Sequence, residues 1–384
     1  MSRVVIITGA RAPVAQDLAR AVRAAGYDVH LADSVRAFAS RALRPRYEVH
    51  RLPPPRQAFA GFRRAMVDLI EKTDAARIIP TCEEVFWLAE GARLDGYANR
   101  VFAPPGDLLR RLHSKSDFPA FAASLGVAVP KTQVLSGPID PAALFAPLET
   151  LVLKPEFSRF ATHTLIGPRP RDLIGVAPTP QARWVAQQRV CGEEICSWAA
   201  VHRGRVTAFA AYRPRWRHGQ AAAYQIEAIS SPALRTITER IAAATGLSGH
   251  LSFDAIVAND GATLPIECNP RAVSGLHLFD ASQSLGQAVL HDRPCPEPEP
   301  GRLRHMGPAM MFLGIPAALR RGRIASLIAD WRRSHDVIDR DGVGLVSLAC
   351  LLDAAGFTVN AVRNARSPAG AATADIEWGG EPMQ

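Results

Sequence analysis

The hydrophobic pattern begins with a short apolar run, Val4–Ile7, then Thr8-Gly9-Ala10-Arg11-Ala12-Pro13, then apolar positions at Val14, Leu18, Ala21, Val22 and Ala25. The first is the pattern of a buried parallel strand and the last that of an amphipathic helix, ended by Gly26. Asp28–Asp33 reads as the next strand, Phe59–Ile70 as an amphipathic helix, Arg77–Thr81 as a strand end, Glu83–Gly91 as a helix and Arg100-Val-Phe-Ala as a closing strand. Strands alternating with helices predict a parallel sheet. The Thr8–Gly9 loop lacks G-x-G-x-x-G, so Gly9 is expected to be structural rather than part of a dinucleotide site. Thr81, Cys82, Glu83 and Glu84 follow a strand end, where α/β sheets place ligands; a helix N-terminus explains the same residues.

From about residue 113 the rhythm changes. His113-Ser-Lys115-Ser-Asp117 opens a helix, Thr150-Leu-Val-Leu-Lys154-Pro155 is a strand, Arg169–Val176 a Pro-punctuated helix and Trp184–Val190 a strand leading into Cys191-Gly192-Glu193-Glu194. Ile195–Val201 and Arg205–Ala211 read as a hairpin, Tyr224–Ile229 as a strand and Pro232–Thr245 as a helix. Arg213, Arg215 and Arg217 alternate, which predicts one shared face, while Pro214 argues against a central strand there. Leu251–Val257 alternates around Asp254, Asn259-Asp260-Gly261 is a hairpin turn, and Thr263–Asn269 returns with Glu267 and Asn269 on one face. After a helix from about Asp280 to Leu290, His291–Pro300 is Pro-rich, and residues 303–384 read as a helical tail without extractable chemistry. No internal repeat or heptad run is apparent.

Two carboxylates and an amide on neighbouring strands form an oxygen-only set suited to Mg²⁺, and Arg271 adds a fork for phosphate oxygens. Asp254, then Glu267 thirteen residues later, then Asn269-Pro-Arg271 resembles the metal-binding end of the ATP-grasp superfamily. Its E-x-N-P-R ending is most similar to those of biotin carboxylase and the large chain of carbamoyl phosphate synthetase. The helix with Lys115, followed by G-x-x-x-P-x-T from Gly126 to Thr132, resembles the superfamily's entry segment.

The resemblance implies metal ligation by Asp254, Glu267 and Asn269, with catalytic roles for Arg271 and Lys154. It implies nucleotide contacts from Lys115, Lys154, Gln187 or Gln188, Val190 and Glu194, whereas Lys131 is a solvated loop residue. It also implies that Arg213, Arg215 and Arg217 bind the carboxylate to be activated; a solvated arginine edge accounts for them equally. The loop after Lys154 departs from the family by lacking glycine, and the hydroxyls of Ser158 and Thr162 with the Arg159 fork are expected to replace the phosphate cradle. No histidine is assignable as a base; His218 and His277 are the better candidates.

Composition adds limits. The 384 residues carry a formal charge of +9, almost all from arginine, with lysine only at 72, 115, 131 and 154. No basic block with interleaved aromatics supports nucleic-acid binding. Six scattered cysteines without C-x-x-C indicate neither zinc nor a disulfide framework. The chain enters Arg3-Val-Val-Ile-Ile without a leader pattern, and no apolar run approaches the ~20 residues of a membrane span, so a cytoplasmic, non-membrane protein is expected.

The expected fold is α/β (α+β): a Rossmann-like preATP-grasp domain over 1–112, an ATP-grasp catalytic domain over 113–295 and a small helical extension over 296–384. The expected activity is an ATP- and Mg²⁺-dependent carboxylate–amine ligase, acting through an acyl phosphate on small molecules, with a homodimer as an open option. The alternatives are a bicarbonate-activating enzyme and a non-catalytic nucleotide-binding protein.

Overall fold

A computed structural model describes residues 3–158, 163–217, 223–340, 342, 344–365 and 367–383. Near the N-terminus, β1 (Val4–Thr8), β2 (Asp28–Asp33), β3 (Glu48–Arg51) and β4 (Arg77–Ile79) form a parallel sheet in the order β3-β2-β1-β4. Val101 adds a single bridge to Ile78 rather than a closing strand. Pro104 and Pro105 follow at once, and neither has an N–H for a ladder. Helices α1 (Pro13–Ala24) and α2 (Phe38–Arg41) take one side, α3 (Phe59–Thr73) and α4 (Glu84–Leu94) the other. Pro13 sits at the first position of α1, where its missing N–H costs nothing.

The second sheet is small and antiparallel: β5 (Thr132–Leu135), β6 (Leu151–Pro155), β7 (Leu165–Ile166) and β8 (Trp184–Gln188), in the order β5-β8-β6-β7. Leu135, Leu151, Leu153 and Ala186 form its own core. The expected helix at 169–176 is a single 3₁₀ turn, Pro170–Leu173.

The third sheet joins β9 (Gly192–His202), β10 (Arg205–Arg217), β11 (Ala223–Ile229), β12 (Gly249–Ala258), β13 (Thr263–Asn269), β14 (Leu303–His305) and β15 (His335–Asp336), in the order β13-β12-β9-β10-β11-β14-β15. One face packs Ala199, Val201, Phe209, Leu251 and Phe253 against α5 (Gly106–His113), α6 (Asp117–Ser124) and α7 (Pro232–Thr245). Helix α7 is delimited locally: Ser231 caps it, Pro232 opens it, and Gly246 closes it in the left-handed conformation. The other face packs Trp198, Ala200, Ala210 and Tyr212 against α1 and α8 (Gln283–Leu290).

Residues 296–384, expected as a helical extension, also supply β14 and the edge strand β15. Helices α9 (Ile315–Arg320), α10 (Ile324–Arg332) and α11 (Leu345–Arg363) follow, and the terminal segment returns to the first sheet. By length and composition α11 is apolar enough to cross a membrane, with mean hydropathy 1.7.

Two buried charge clusters fix this return. Arg11 holds Asp33 at 2.6 Å and Asp375 at 2.7 Å, and Ser34 donates to Asp375 at 2.5 Å. Ile376 lines the small gap beside Thr8, Gly9 and Glu84, so the chain's own tail fills the crevice at the strand ends. Gly9 has φ +76, and a Cβ there would overlap Thr81 Oγ1, which makes this glycine structural. Asp17 on α1 accepts from Arg340 through both oxygens at 2.6 Å and meets His277 Nδ1 at 2.7 Å. His277 is therefore a buried anchor between α1 and the tail.

Burial alone would raise the Asp17 pKa, but Arg340 and His277 overcome it and hold the carboxyl well below the usual range. Its stabilisation is full above the unfolded value near ~3.9 and is lost as pH falls through the depressed folded value. Asp17→Ala should lower stability by ~3–5 kcal/mol at neutral pH, because it strands Arg340 in the interior. Urea denaturation monitored by circular dichroism checks this; a loss under ~1 kcal/mol would place the anchor elsewhere.

Candidate functional site

The site forms where the end of the small sheet meets β12 and β13. Asp254 and Glu267 are direct cross-strand partners, with Asn269 two rungs on, opposite Ser252 and on the same face. The register then shifts, so that Ala255 pairs with Pro265 and Ile266 is left as the extra residue of a bulge. Its carbonyl accepts from Lys154 Nζ at 3.3 Å. Pro265 is tolerated because β13 is the sheet's edge. Asn269 Nδ2 donates to Asp254 at 3.2 Å, and Arg271 Nη2 donates to Asn269 Oδ1 at 3.1 Å. Arg271 Nε also lies 3.7 Å from Glu83, which links the site to the N-terminal sheet.

Lys115 and Lys154 reach the same carboxylates from the other side. Lys115 Nζ lies 3.6 Å from Glu267 and donates to Ser158 O at 3.0 Å. Burial pushes Lys154 down to about 8, with Glu267 opposing the shift and Lys115 adding to it. Burial, and then the facing Glu267 carboxylate, push Asp254 above the ordinary carboxylate range. Two acids and two lysines thus share one desolvated cleft.

Ladder register decides which of the residues expected on the nucleotide side face the cleft. Lys154 pairs with Val185 and Val152 with Gln187, so Gln187 shares the face of Lys154 while Gln188 lies on the other. Gln187 is buried and donates to Thr132 Oγ1 at 3.2 Å; Gln188 is exposed. Val190 follows β8 and is half-buried. Glu194 lies on the Asp254 face of the large sheet and is held by Arg217 at 2.8 Å. A Cβ on Gly192 would overlap Val257 O, so this turn before Glu194 requires glycine. Ser158 Oγ bonds Pro155 O at 3.4 Å, a local turn contact, while its carbonyl receives Lys115. Arg159, Thr162 and His218 lie outside the described residues. Lys131 is exposed and stacks over Phe145 at 4.7 Å, away from the carboxylates.

The three arginines do not share a face. Tyr212 pairs with Cys196, which pairs with Asp254, so Arg213, the next residue, points to the opposite side. Register shifts at Pro214/Trp216 and Trp216/Arg217 then break the alternation. Arg213 contacts Glu193 at 3.0 Å, Arg215 contacts Glu227 at 3.6 Å and Asp330 at 3.5 Å, and Arg217 alone of the three contacts Glu194. Pro214 sits within a central strand, against expectation. The ladder to β9 ends at Tyr212, so no partner on that side needs its missing N–H.

Sequence reasoning missed the frame behind Lys115 and Lys154. Glu156 accepts from Ser114 and Ser116 at 2.6 Å each and from Arg183 at 2.7 Å, so both serines flanking Lys115 are tied to the strand end after Lys154. The H-S-K-S-D spacing was the available signal. The tail was missed as well: Trp378 packs between Phe86 on α4 and Phe157 beside Glu156, at centroid distances of 5.0 and 5.1 Å. A second cluster of metal-ligand types, His30, Glu48 and His50, lies on β2–β3; its two imidazoles satisfy each other at 2.8 Å.

No protein-family profile matches the chain, and no curated protein matches it in sequence. Solved structures do match in fold. An N5-carboxyaminoimidazole synthetase from Staphylococcus aureus, complexed with ADP, superposes with TM-score 0.62 at 12% identity, over 84% of this chain and 88% of that one. An L-amino acid ligase from Bacillus licheniformis gives 0.57 at 15%, over 79% and 78%. The biotin carboxylase domain of a Hydrogenobacter thermophilus 2-oxoglutarate carboxylase, with MgADP and bicarbonate, gives 0.58 at 13%, over 79% and 73%. With its parallel sheet ahead of a small antiparallel sheet and a larger, mainly antiparallel one, the chain has the ATP-grasp fold.

Proposed function

We propose that the protein is an ADP-forming carboxylate–amine ligase that uses ATP and Mg²⁺. The observation that carries the reading is the convergence of Lys115, Lys154, Asp254, Glu267, Asn269 and Arg271 from four separate segments on one cleft. The S. aureus synthetase and the H. thermophilus carboxylase domain, which share the fold, hold ADP and MgADP, and the B. licheniformis relative is an amino acid ligase.

The donor set fits a hard cation. Asp254 and Glu267 oppose each other on one rung, and burial, then the facing Glu267 carboxylate, raise the Asp254 carboxyl, so a cation between them would be favoured. Asp254, Glu267 and, with its amide rotated, Asn269 would hold Mg²⁺, which would neutralise β- and γ-phosphate oxygens. Lys115, Lys154 and Arg271 would bind the phosphate chain and offset the charge that develops during transfer. Gln187, on the Lys154 face, would meet the adenine amine, and Glu194, on the Asp254 face, would bind the ribose hydroxyls. A carboxylate oxygen attacks the γ-phosphorus and ADP leaves; the amine nitrogen then attacks the acyl carbon, phosphate leaves and the amine gives up a proton. Binding both reactants in one cleft supplies most of the acceleration. Of the arginine trio, Arg217 keeps the assignment to the acid substrate, because it lies on the Glu194 side. Arg213 and Arg215 serve the strand's acidic neighbours.

A matrix of carboxylic acids and amines, with bicarbonate as a separate acid, scored for ADP release and product mass, tests the reaction class. ADP formation with bicarbonate alone would favour the carboxylase type; absence of nucleotide binding would sink the proposal.

Glu267→Ala should abolish ADP formation in that assay while leaving the far-ultraviolet circular dichroism unchanged. Turnover near the wild-type rate would overturn the metal assignment.

Lys154→Ala should weaken ATP binding by ~10-fold or more, as expected for a lost charge-assisted hydrogen bond of ~1.5–3 kcal/mol, and Lys131→Ala should not. Because Lys154 is held at about 8, wild-type affinity should fall as pH rises past 8, and Lys154→Ala should flatten that dependence. Calorimetry across pH 6.5–9.5, a range chosen to bracket that value, reads both; equal effects of the two lysine changes would refute the assignment.

Arg217→Met should raise the KM for the acid by ~10-fold or more, with Arg213→Met and Arg215→Met within ~2-fold of wild type. Initial rates with the acid varied at saturating ATP decide it; three equal effects would mean the acid is held elsewhere.

A further inference from the structure

Helix α11 has one face seated and one face bare. Val346, Ala349 and Ala361 are buried, and the Asp353 carboxylate accepts from the backbone N–H groups of Phe38 and Ala39 at 2.9 Å each, capping α2. On the opposite side Leu345, Leu348, Leu352, Ala355, Val359 and Val362 are exposed, the large side chains among them by 40% to 79%. Their spacing is 3, 4, 3, 4, 3, the a/d repeat of a helix–helix seam. The sequence showed no heptad run because this one covers under ~3 heptads, short of what a sequence scan requires.

From this face we infer that α11 pairs with α11 of a second copy of the chain, antiparallel about a two-fold axis centred between Leu352 and Ala355. A 3-4-3-4-3 spacing reads the same from both ends, so an antiparallel copy meets every seam position. Leu345 then faces the partner's Val362, Leu348 the partner's Val359 and Leu352 the partner's Ala355. Each layer sets a long side chain against a shorter one, the arrangement that interdigitates without voids. The flanking positions Ala349, Leu351, Gly356 and Thr358 carry no charge. Nothing there repels an identical helix or selects a charged partner. At each end Arg363 comes beside the start of the other helix, near Asp339, whose carboxylate accepts from Gly344 N at 2.5 Å. A bilayer fits the face less well, because a lipid-immersed helix is apolar all round, whereas α11 keeps Asp353 and its neighbours docked on protein.

The test uses the full chain. Size-exclusion chromatography with light scattering at ~50 µM should give twice the 41.4 kDa of one chain. Leu352→Glu should give a single-chain mass with an unchanged circular dichroism spectrum, and Leu352→Met should remain a dimer. Mixing Leu348→Cys chains with Val359→Cys chains under mild oxidation should cross-link the mixture beyond either variant alone and beyond wild type. A wild-type monomer would overturn the inference, as would a dimer untouched by Leu352→Glu. Cross-linking of like to like would overturn the antiparallel axis. Pelleting of a monomeric wild type with phosphatidylcholine–phosphatidylglycerol vesicles, lost in Leu352→Glu, would make the face a membrane surface instead.

Discussion

Asp254 and Glu267 face each other across one rung of a hairpin, both half-buried, and this pairing of like charges constrains everything around it. Two like charges on one rung, in a place that excludes much of the water, call for positive charge nearby. The chain supplies it from three directions: Lys115 just before α6, Lys154 near the end of β6 and Arg271 just beyond β13. None of these cations is positioned by its own element alone. Lys115 depends on the Ser158 carbonyl, Lys154 on the bulge that frees the Ile266 carbonyl, and Arg271 on Asn269 and Glu83. The cleft is therefore a property of how the two antiparallel sheets and the N-terminal sheet dock, which is where ligands concentrate in proteins of several layers.

The tail is part of that docking. Arg11 gathers Asp33 and Asp375, Asp17 gathers His277 and Arg340, and Trp378 bridges α4 to the loop beside Lys154. Buried ion pairs add little net stability over apolar packing, yet breaking one is costly, so they act chiefly by allowing a single arrangement. His277 shows the consequence for chemistry. It follows the Asn-Pro-Arg segment closely, but its side chain is spent on holding that segment to α1.

Much of this was legible from patterns of short range. Period-2 alternation, the Asp-Gly turn and the thirteen-residue separation predict that Asp254 and Glu267 meet, because a hairpin is local and its register follows from the turn. The alternating strands and helices of the first hundred residues likewise gave the parallel sheet. The arginine trio was misread because alternation holds only while the ladder is regular, and two register shifts within four residues break it. Glu156 was invisible for another reason: its partners Ser114, Ser116 and Arg183 lie 42, 40 and 27 residues away. The tail's role rests on contacts spanning most of the chain, as between Arg11 and Asp375, and such closures leave no periodic mark.

The choice of lysine at 115 and 154 follows from the same electrostatics. The chain has 45 basic residues and only four lysines, so an ammonium at both cleft positions is a departure from its own habit. Arginine would bring a planar fork that stays charged at any accessible pH and needs several acceptors in its plane. The cleft offers each lysine little beyond one carbonyl and the Glu267 carboxylate, a geometry that suits a compact point charge. Burial moves Lys154 down to about 8, nearer neutral pH than an ordinary lysine. A polyanion entering the cleft would raise that pKa again, and binding would thereby draw a proton onto Lys154. An arginine there would hold its charge against the same burial without that coupling, and it would leave guanidinium N–H groups unsatisfied whenever the cleft lacked an anion.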